Sequence, residues 1–249
     1  MLEATLTVTA EQHADLRRLA LLATGCTGAD IERLVREVRR KAARQQRPLT
    51  WSDIEHALRA GHMELPDELR WRTAIHEAGH AVAFCDMDIA EIITVGIGIG
   101  AMGQVVSRQH HHLEQTQDWL MRSIACKLAG RTAELLIFGE AVAGAGGYND
   151  SDLAKATELA VAAETRLGFS DHQPLLYRSV AGSINELSLD RQLAERVNDR
   201  LVAAEAMART LLDKRRDVLI AIAERLREAG VMTGEEVRAL FKGADGSSA

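Results

Sequence analysis

His76-Glu77-Ala78-Gly79-His80 places two imidazoles four positions apart, with a carboxylate next to the first. At about 100° per residue, positions four apart share one face of a helix, so both rings can reach one metal ion. Glu77 then falls beside the metal's open position. A zinc ion so held brings the pKa of a water down to roughly neutral, and a carboxylate can take its proton while the oxygen attacks a polarised peptide carbonyl. The small residues Ala78, Gly79 and Ala81 leave room for another element to pack against the motif. The rival reading is a pair of histidines on an amphipathic helix with no ligand role, because a chain with nine histidines can contain the pattern by chance. Two features weigh against it: a long uninterrupted helical pattern around the motif, and carboxylates downstream that can complete a ligand set.

A catalytic zinc takes three protein ligands and keeps one position open. The third ligand must come from elsewhere, and the candidates are Asp150, Asp152, Glu134 and the run His110-His111-His112. The histidine run falls between a strand and a helix, where a solvated loop is the simpler reading. Asp152 opens a helix just after a glycine-rich loop, a position where the helix dipole alone favours an acid. Residue types and spacing leave Asp150, Asp152 and Glu134 unseparated.

The elements that must position these residues are mostly helices. Apolar residues recur at three and four spacing in Leu16, Leu19 and Ala20, and again in Ile31, Leu34, Val35 and Val38. Thr24-Gly25 stops a first helix, Gly28-Ala29-Asp30 opens a second, and Thr50-Trp51-Ser52-Asp53 is a capping-box start for a third that closes at Gly61. The pattern breaks over Gly61 to Pro66, which predicts a boundary between residues 1–63 and 64–249. Pro66 suits the first turn of the helix that carries the motif to about Cys85. Glu91 to Gly100 and Gly103 to Arg108 form the one strand pair, Glu114 to Phe138 is helical, and a further helix begins near Ser151 after Ala143-Gly144-Ala145-Gly146-Gly147. Leu189 to Phe241 reads as two or three amphipathic helices. The Gly98-Ile99-Gly100-Ala101-Met102-Gly103 segment matches GxGxxG, but strand resumes at Gln104-Val105-Val106 where a dinucleotide fold begins a helix, so it reads as a hairpin turn.

Composition agrees with a mainly α protein that carries a small hairpin or sheet. Only 4% of residues are aromatic against 47% hydrophobic overall, which favours helices packed through aliphatic side chains. A net charge of −6 gives no general attraction to nucleic acid. Cys26, Cys85 and Cys126 are few, odd in number and far apart, which argues for a reducing compartment and for buried thiols. No apolar run approaches 18 residues, so no membrane segment or secretion signal is expected in this chain.

Three separated stretches resemble the peptidase domain of FtsH-type AAA proteases: Thr73 to Ala81, Ala129-Gly130-Arg131-Thr132-Ala133-Glu134 through Gly139, and Asn149-Asp150-Ser151-Asp152-Leu153-Ala154-Lys155-Ala156-Thr157. Leu167 to Asp171 and the Leu211 to Leu240 segment are similar as well. The resemblance implies one zinc per chain held by His76, His80 and Asp152, with Glu77 as general base and Glu134 orienting a ligand. The loop ahead of Asp152 is longer than the family's pattern, so the register rests on the residues after it and Asp150 stays as the alternative. Residues 1–63 resemble the helical lid of the AAA module. No GxxxxGKS or GxxxxGKT sequence occurs, so no ATP site is expected within this chain.

The resemblance further implies that the small hairpin or sheet lies beside the active-site helix with an edge strand that holds extended substrate, and it implies cleavage of unfolded or damaged polypeptides, a homohexameric ring, and a cytoplasmic site on a longer ATP-dependent parent tethered to a membrane. The rival class is a catalytically idle oligomerisation or adaptor module on the same scaffold. Glu77 argues against it, because a structural zinc site needs no adjacent base.

Overall fold

Reciprocal caps start two helices in the first quarter of the chain. The Thr27 hydroxyl accepts the Asp30 N–H at 3.2 Å while the Asp30 carboxylate accepts the Thr27 N–H at 3.1 Å. Thr50 and Asp53 repeat the exchange at 3.3 and 2.9 Å. The helices they open are α1 (Gly28–Arg44) and α2 (Trp51–Ala60). Residues 16, 19, 20 and 22 are also helical, and Leu19, Leu22 and Leu58 form a small buried cluster with Leu34, Ile54 and Val231 against it. The computed structural model describes residues 16–245 apart from 17–18, 21, 24–25, 61–64, 99–102, 111–112, 144–145 and 179–183. The Thr24-Gly25 stop, the Gly61 to Glu64 part of the boundary, the hairpin tip, His111, His112, Gly144 and Ala145 therefore lie outside the described residues.

The motif-bearing helix α3 (Asp67–Met87) begins directly after Pro66 and ends on Asp88, whose φ of 49° stops it. Its buried residues run around the whole circumference from Thr73 to Phe84, with His76 less enclosed, so it is the axis of the main core rather than a surface helix. Helix α4 (Gln117–Phe138) packs most extensively on it, at a contact set by Gly79: a Cβ there would meet the Ala129 carbonyl oxygen and the Ala133 Cβ, each at 2.6 Å. Thr116 caps the start of α4, and Gly139, at φ 77°, ends it by donating its N–H to Leu135 O. Helix α5 (Asp152–Thr165) starts on a Ser151 cap that accepts the Ala154 N–H. It leads to α6 (Ile184–Leu189), α7 (Arg191–Lys214), α8 (Arg216–Ala229) and α9 (Gly234–Asp245), of which α7 and α8 complete the layer around α3 and α4.

Strands β1 (Ala90–Ile97) and β2 (Gly103–Gln109) pair antiparallel, with the register shifting at Ile93 as one extra residue in β1. The strand pair expected from the sequence is present, and a third strand that the sequence did not signal joins it. Gly230, at φ 78°, turns the chain out of α8 so that β3 (Val231–Thr233) pairs with β1, giving the order β2-β1-β3. The outer edge of β2 is thus free for pairing among the described residues. The cysteine expectation needs correction: all three are free, but only Cys126 is buried, Cys85 is half-buried and Cys26 is exposed. Among the described residues no helix is long and apolar enough to cross a membrane.

Candidate metal centre

Being one turn apart on α3 sets the His76 and His80 rings 4.9 Å apart, edge to face, with their Nε2 atoms separated by 3.2 Å. Asp152, the first residue of α5, brings its Oδ2 to 3.4 Å from His76 Nε2 and 3.1 Å from His80 Nε2. The three donors form one metal-binding cluster. Asp152 reaches it because the Ser151 cap fixes the start of α5, which packs on α4.

The far side of each ring decides what the near side offers. His80 Nδ1 donates to the Cys126 carbonyl at 2.8 Å, and a carbonyl can only accept, so this nitrogen carries the proton. His76 Nδ1 donates to Glu134 Oε1 at 2.7 Å. With the protons on Nδ1, two imidazole lone pairs and a carboxylate oxygen face one another within 3.1–3.4 Å, an arrangement only a cation relieves. Zinc with bonds of roughly 2.0–2.1 Å spans a tetrahedral edge of about 3.3 Å, so these nitrogen and oxygen donors fit it. Without metal the site draws in a proton instead: burial opposes charge on His76, but Asp152 and Glu134 outweigh it and lift its pKa to about 10. Burial likewise opposes charge on Asp152, and the two imidazoles override it to hold the carboxyl well below its usual range.

Glu134 lies on α4 with almost no exposed surface, so it is no surface carboxylate. Burial works to raise its pKa, yet the bonds from His76 and the Val142 N–H (3.1 Å) prevail and lower it. Arg72 completes its shell. Its Nη1 donates to Glu134 Oε2 and to the Glu140 carbonyl, each at 3.2 Å, while its guanidinium lies 4.4 Å over the Phe138 ring. Glu77 is buried beside the cluster, and burial raises its pKa against the pull of the two imidazoles. Its space is set by Gly103 at the start of β2, where a Cβ would come within 2.5 Å of the Glu77 Oε1.

These groups open into a cleft of about 410 Å³ between α3, β2, α4 and the start of α5. Asp150 lines the same cleft, but the cluster is completed by Asp152. His110 lies 3.4 Å from Asp88 and is not part of the cluster. Sequence reasoning did not single out Arg72, Gly103 or Gly130 as site residues. For Arg72 a signal was available: it precedes His76 by four positions and shares its helical face. For the two glycines the reason is a close approach between distant segments, which spacing does not reveal.

The sequence profile of peptidase family M41 matches residues 63–240. The chain is 31% identical, over 93% of its length, to the ATP-dependent zinc metalloprotease FtsH of Thermus thermophilus, covering 40% of that protein. FtsH 1 of Symbiobacterium thermophilum, also named as an ATP-dependent zinc metalloprotease, is 34% identical over 93% of this chain and 40% of its own length. FtsH 4 of Sorangium cellulosum, so named too, is 30% identical over 93% and 39%. The chain thus spans about two fifths of the length of these relatives.

Proposed function

From the fact that this chain belongs to peptidase family M41, we propose that it is the proteolytic part of an FtsH-like, ATP-dependent zinc metalloprotease, a zinc endopeptidase that cuts unfolded or damaged polypeptides. The observation that carries this reading is the convergence of three bare acceptors within 3.1–3.4 Å beside a buried carboxylate that is not one of them. In this reading His76, His80 and Asp152 hold one zinc ion. When bound, zinc supplies Lewis acidity, polarising a peptide carbonyl and acidifying a water.

Glu77 is the general base. Its raised pKa suits a group that takes a proton from the attacking water and hands it to the departing amine nitrogen. Glu134 fixes the His76 ring and its tautomer. The free edge of β2, whose Gly103, Gln104, Val105 and Ser107 line the cleft, offers main-chain partners to an extended substrate, a mode that tolerates many side chains.

We extend the same reading to the rest of the chain. Residues 1–63 are an AAA-type helical lid, supported by the capped α1–α2 pair and a small apolar cluster drawn from the same residues apart from Val231, and residues 64–249 are the peptidase domain. The parent is a homo-oligomer, a hexamer by resemblance, and exposed Leu175, Tyr177 and Leu189 between α5 and α7 supply apolar surface for subunit contact. Three free thiols support a cytoplasmic placement, on a parent tethered to a membrane.

The test is zinc content together with cleavage of an unfolded, fluorescently labelled protein by the native chain, Glu77→Gln and Asp152→Ala. The expected result is about one zinc and cleavage for native protein, zinc without cleavage for Glu77→Gln, and loss of zinc for Asp152→Ala. A Glu77→Gln protein as active as native would overturn the assignment, and zinc without cleavage by the native chain would favour the idle module.

A further inference from the structure

Two ammonium groups in the cleft are left without a task by the peptidase mechanism. Lys127 on α4 is half-buried and lines the cleft with its Nζ 5.8 Å from the centre of the Phe84 ring, one turn beyond His80 on α3. Lys155, one turn beyond Asp152 on α5, lines the same cleft. Among the described residues neither makes an ion pair, although the chain carries more acids than bases. The other cation of the cleft, Arg72, is tied to Glu134 and Glu140. The cleft's carboxylates are either engaged, as Glu134 and Asp152 are with the imidazoles, or buried, as Glu77 is, or exposed at its rim, as Asp150 is.

A cation held against an aromatic face in a cleft meets less competing water than one on an open surface, so a carboxylate brought to it gains more. The neighbours fit a side chain with an apolar stem and an anionic tip: Phe84 and Val105 offer apolar surface, Ser107 a hydroxyl, and the lysines charge. We propose that Lys127 and Lys155 form a subsite for an acidic side chain of the bound polypeptide, so that cleavage favours positions with Asp or Glu a short distance from the scissile bond. This specificity rests on the peptidase reading, but the subsite can be measured apart from catalysis.

The experiment uses the zinc-loaded full chain carrying Glu77→Gln and a fluorescein-labelled unstructured peptide in which one Glu is moved through successive positions, each compared with its Gln counterpart by fluorescence anisotropy. Wild-type protein cuts the same peptides in parallel. At one or two positions the Glu peptide should bind about five-fold more tightly, the size of a favourable partly exposed ion pair. That ratio should fall toward one at high salt and with Lys127→Gln. Lys155→Gln, at an exposed position that does not threaten the fold, should lower it as well. Equal binding of Glu and Gln peptides at every position, or a preference that survives both substitutions, overturns the proposal. If wild-type protein cuts all peptides at equal rates, the subsite fails and the peptidase stands. If it cuts none while Glu77→Gln still selects the Glu peptide, the peptidase reading fails and the subsite stands.

Discussion

The backbone of Gly130 sits against the ring of His76: a Cβ at that position would lie 2.5 Å from Nε2, and the same distance from Nε2 of His80. The donor atoms therefore occupy the space that a side chain on this turn of α4 would need. Neither ring can swing clear without giving up its Nδ1 bond, to Glu134 for one and to the Cys126 carbonyl for the other. Gly130→Ala should thus lower zinc affinity by about 100-fold while leaving a folded protein. Competition with a chelating dye, alongside circular dichroism, measures both. Zinc affinity within a few-fold of native would show that the rings have room to move.

Glu134→Gln keeps the shape of the side chain and removes its charge. It should still accept from His76 Nδ1, but more weakly, and the imidazole becomes a poorer electron donor. We expect zinc to bind about ten-fold less tightly, in the range found for partners of metal-ligating histidines. Glu134→Ala should do worse, because it also leaves the Arg72 guanidinium, 19% exposed, facing an empty site. Chelator competition on both variants reads the difference.

Gly79→Ala should unsettle the contact between the two central helices. With the Ala129 carbonyl and the Ala133 Cβ both 2.6 Å from the added carbon, α3 and α4 must part, at a cost of about 1–3 kcal/mol. Urea unfolding in the presence of a chelator measures this without any contribution from bound metal.

A buried carboxylate away from the site predicts an acid weakness. Glu164 on α5 accepts from Arg200 at 2.6 Å, Arg196 at 3.2 Å and the Ser170 hydroxyl at 2.8 Å. Burial works to raise its pKa, but these partners prevail and lower it from its ordinary 4.5. Since the folded-state value is the lower one, the stability it contributes is complete above about pH 4.5 and is lost as pH falls through the folded value. Glu164→Gln should reduce stability at neutral pH and flatten this acid slope, as read from urea midpoints measured at a series of pH values.

Much of this architecture is legible in the chain because it is written locally. Thr27 with Asp30, Thr50 with Asp53, and Ser151 ahead of Asp152 each announce a helix start within four residues, and the structure starts helices there. The HExxH pair is local for the same reason. What escaped reading depends on partners far along the sequence. Three residues of β3 carry no strand signal of their own and become a strand only by meeting β1, more than 130 positions earlier. Asp150 and Asp152 are the same residue type two places apart, which spacing leaves unseparated; the resemblance chose Asp152, and the packing of α5 on α4 brings that residue to the imidazoles. Glu134, which the resemblance alone marked, looks by type and spacing like any acid on a helix until α4 turns it inward to Arg72 and His76. Cys26 errs the other way, an apolar residue type left at the surface.

Helix α3 is enclosed along most of its length and tied near both ends, at Arg70 to the Arg227 carbonyl and at Asp86 to Arg215. Its amides are therefore expected to exchange with solvent only when the whole domain opens, and residues 74–83 should be among the last to take up deuterium. The two imidazoles it presents therefore ride on one backbone that opens only as a unit, so His76 and His80 are either both in place or both gone.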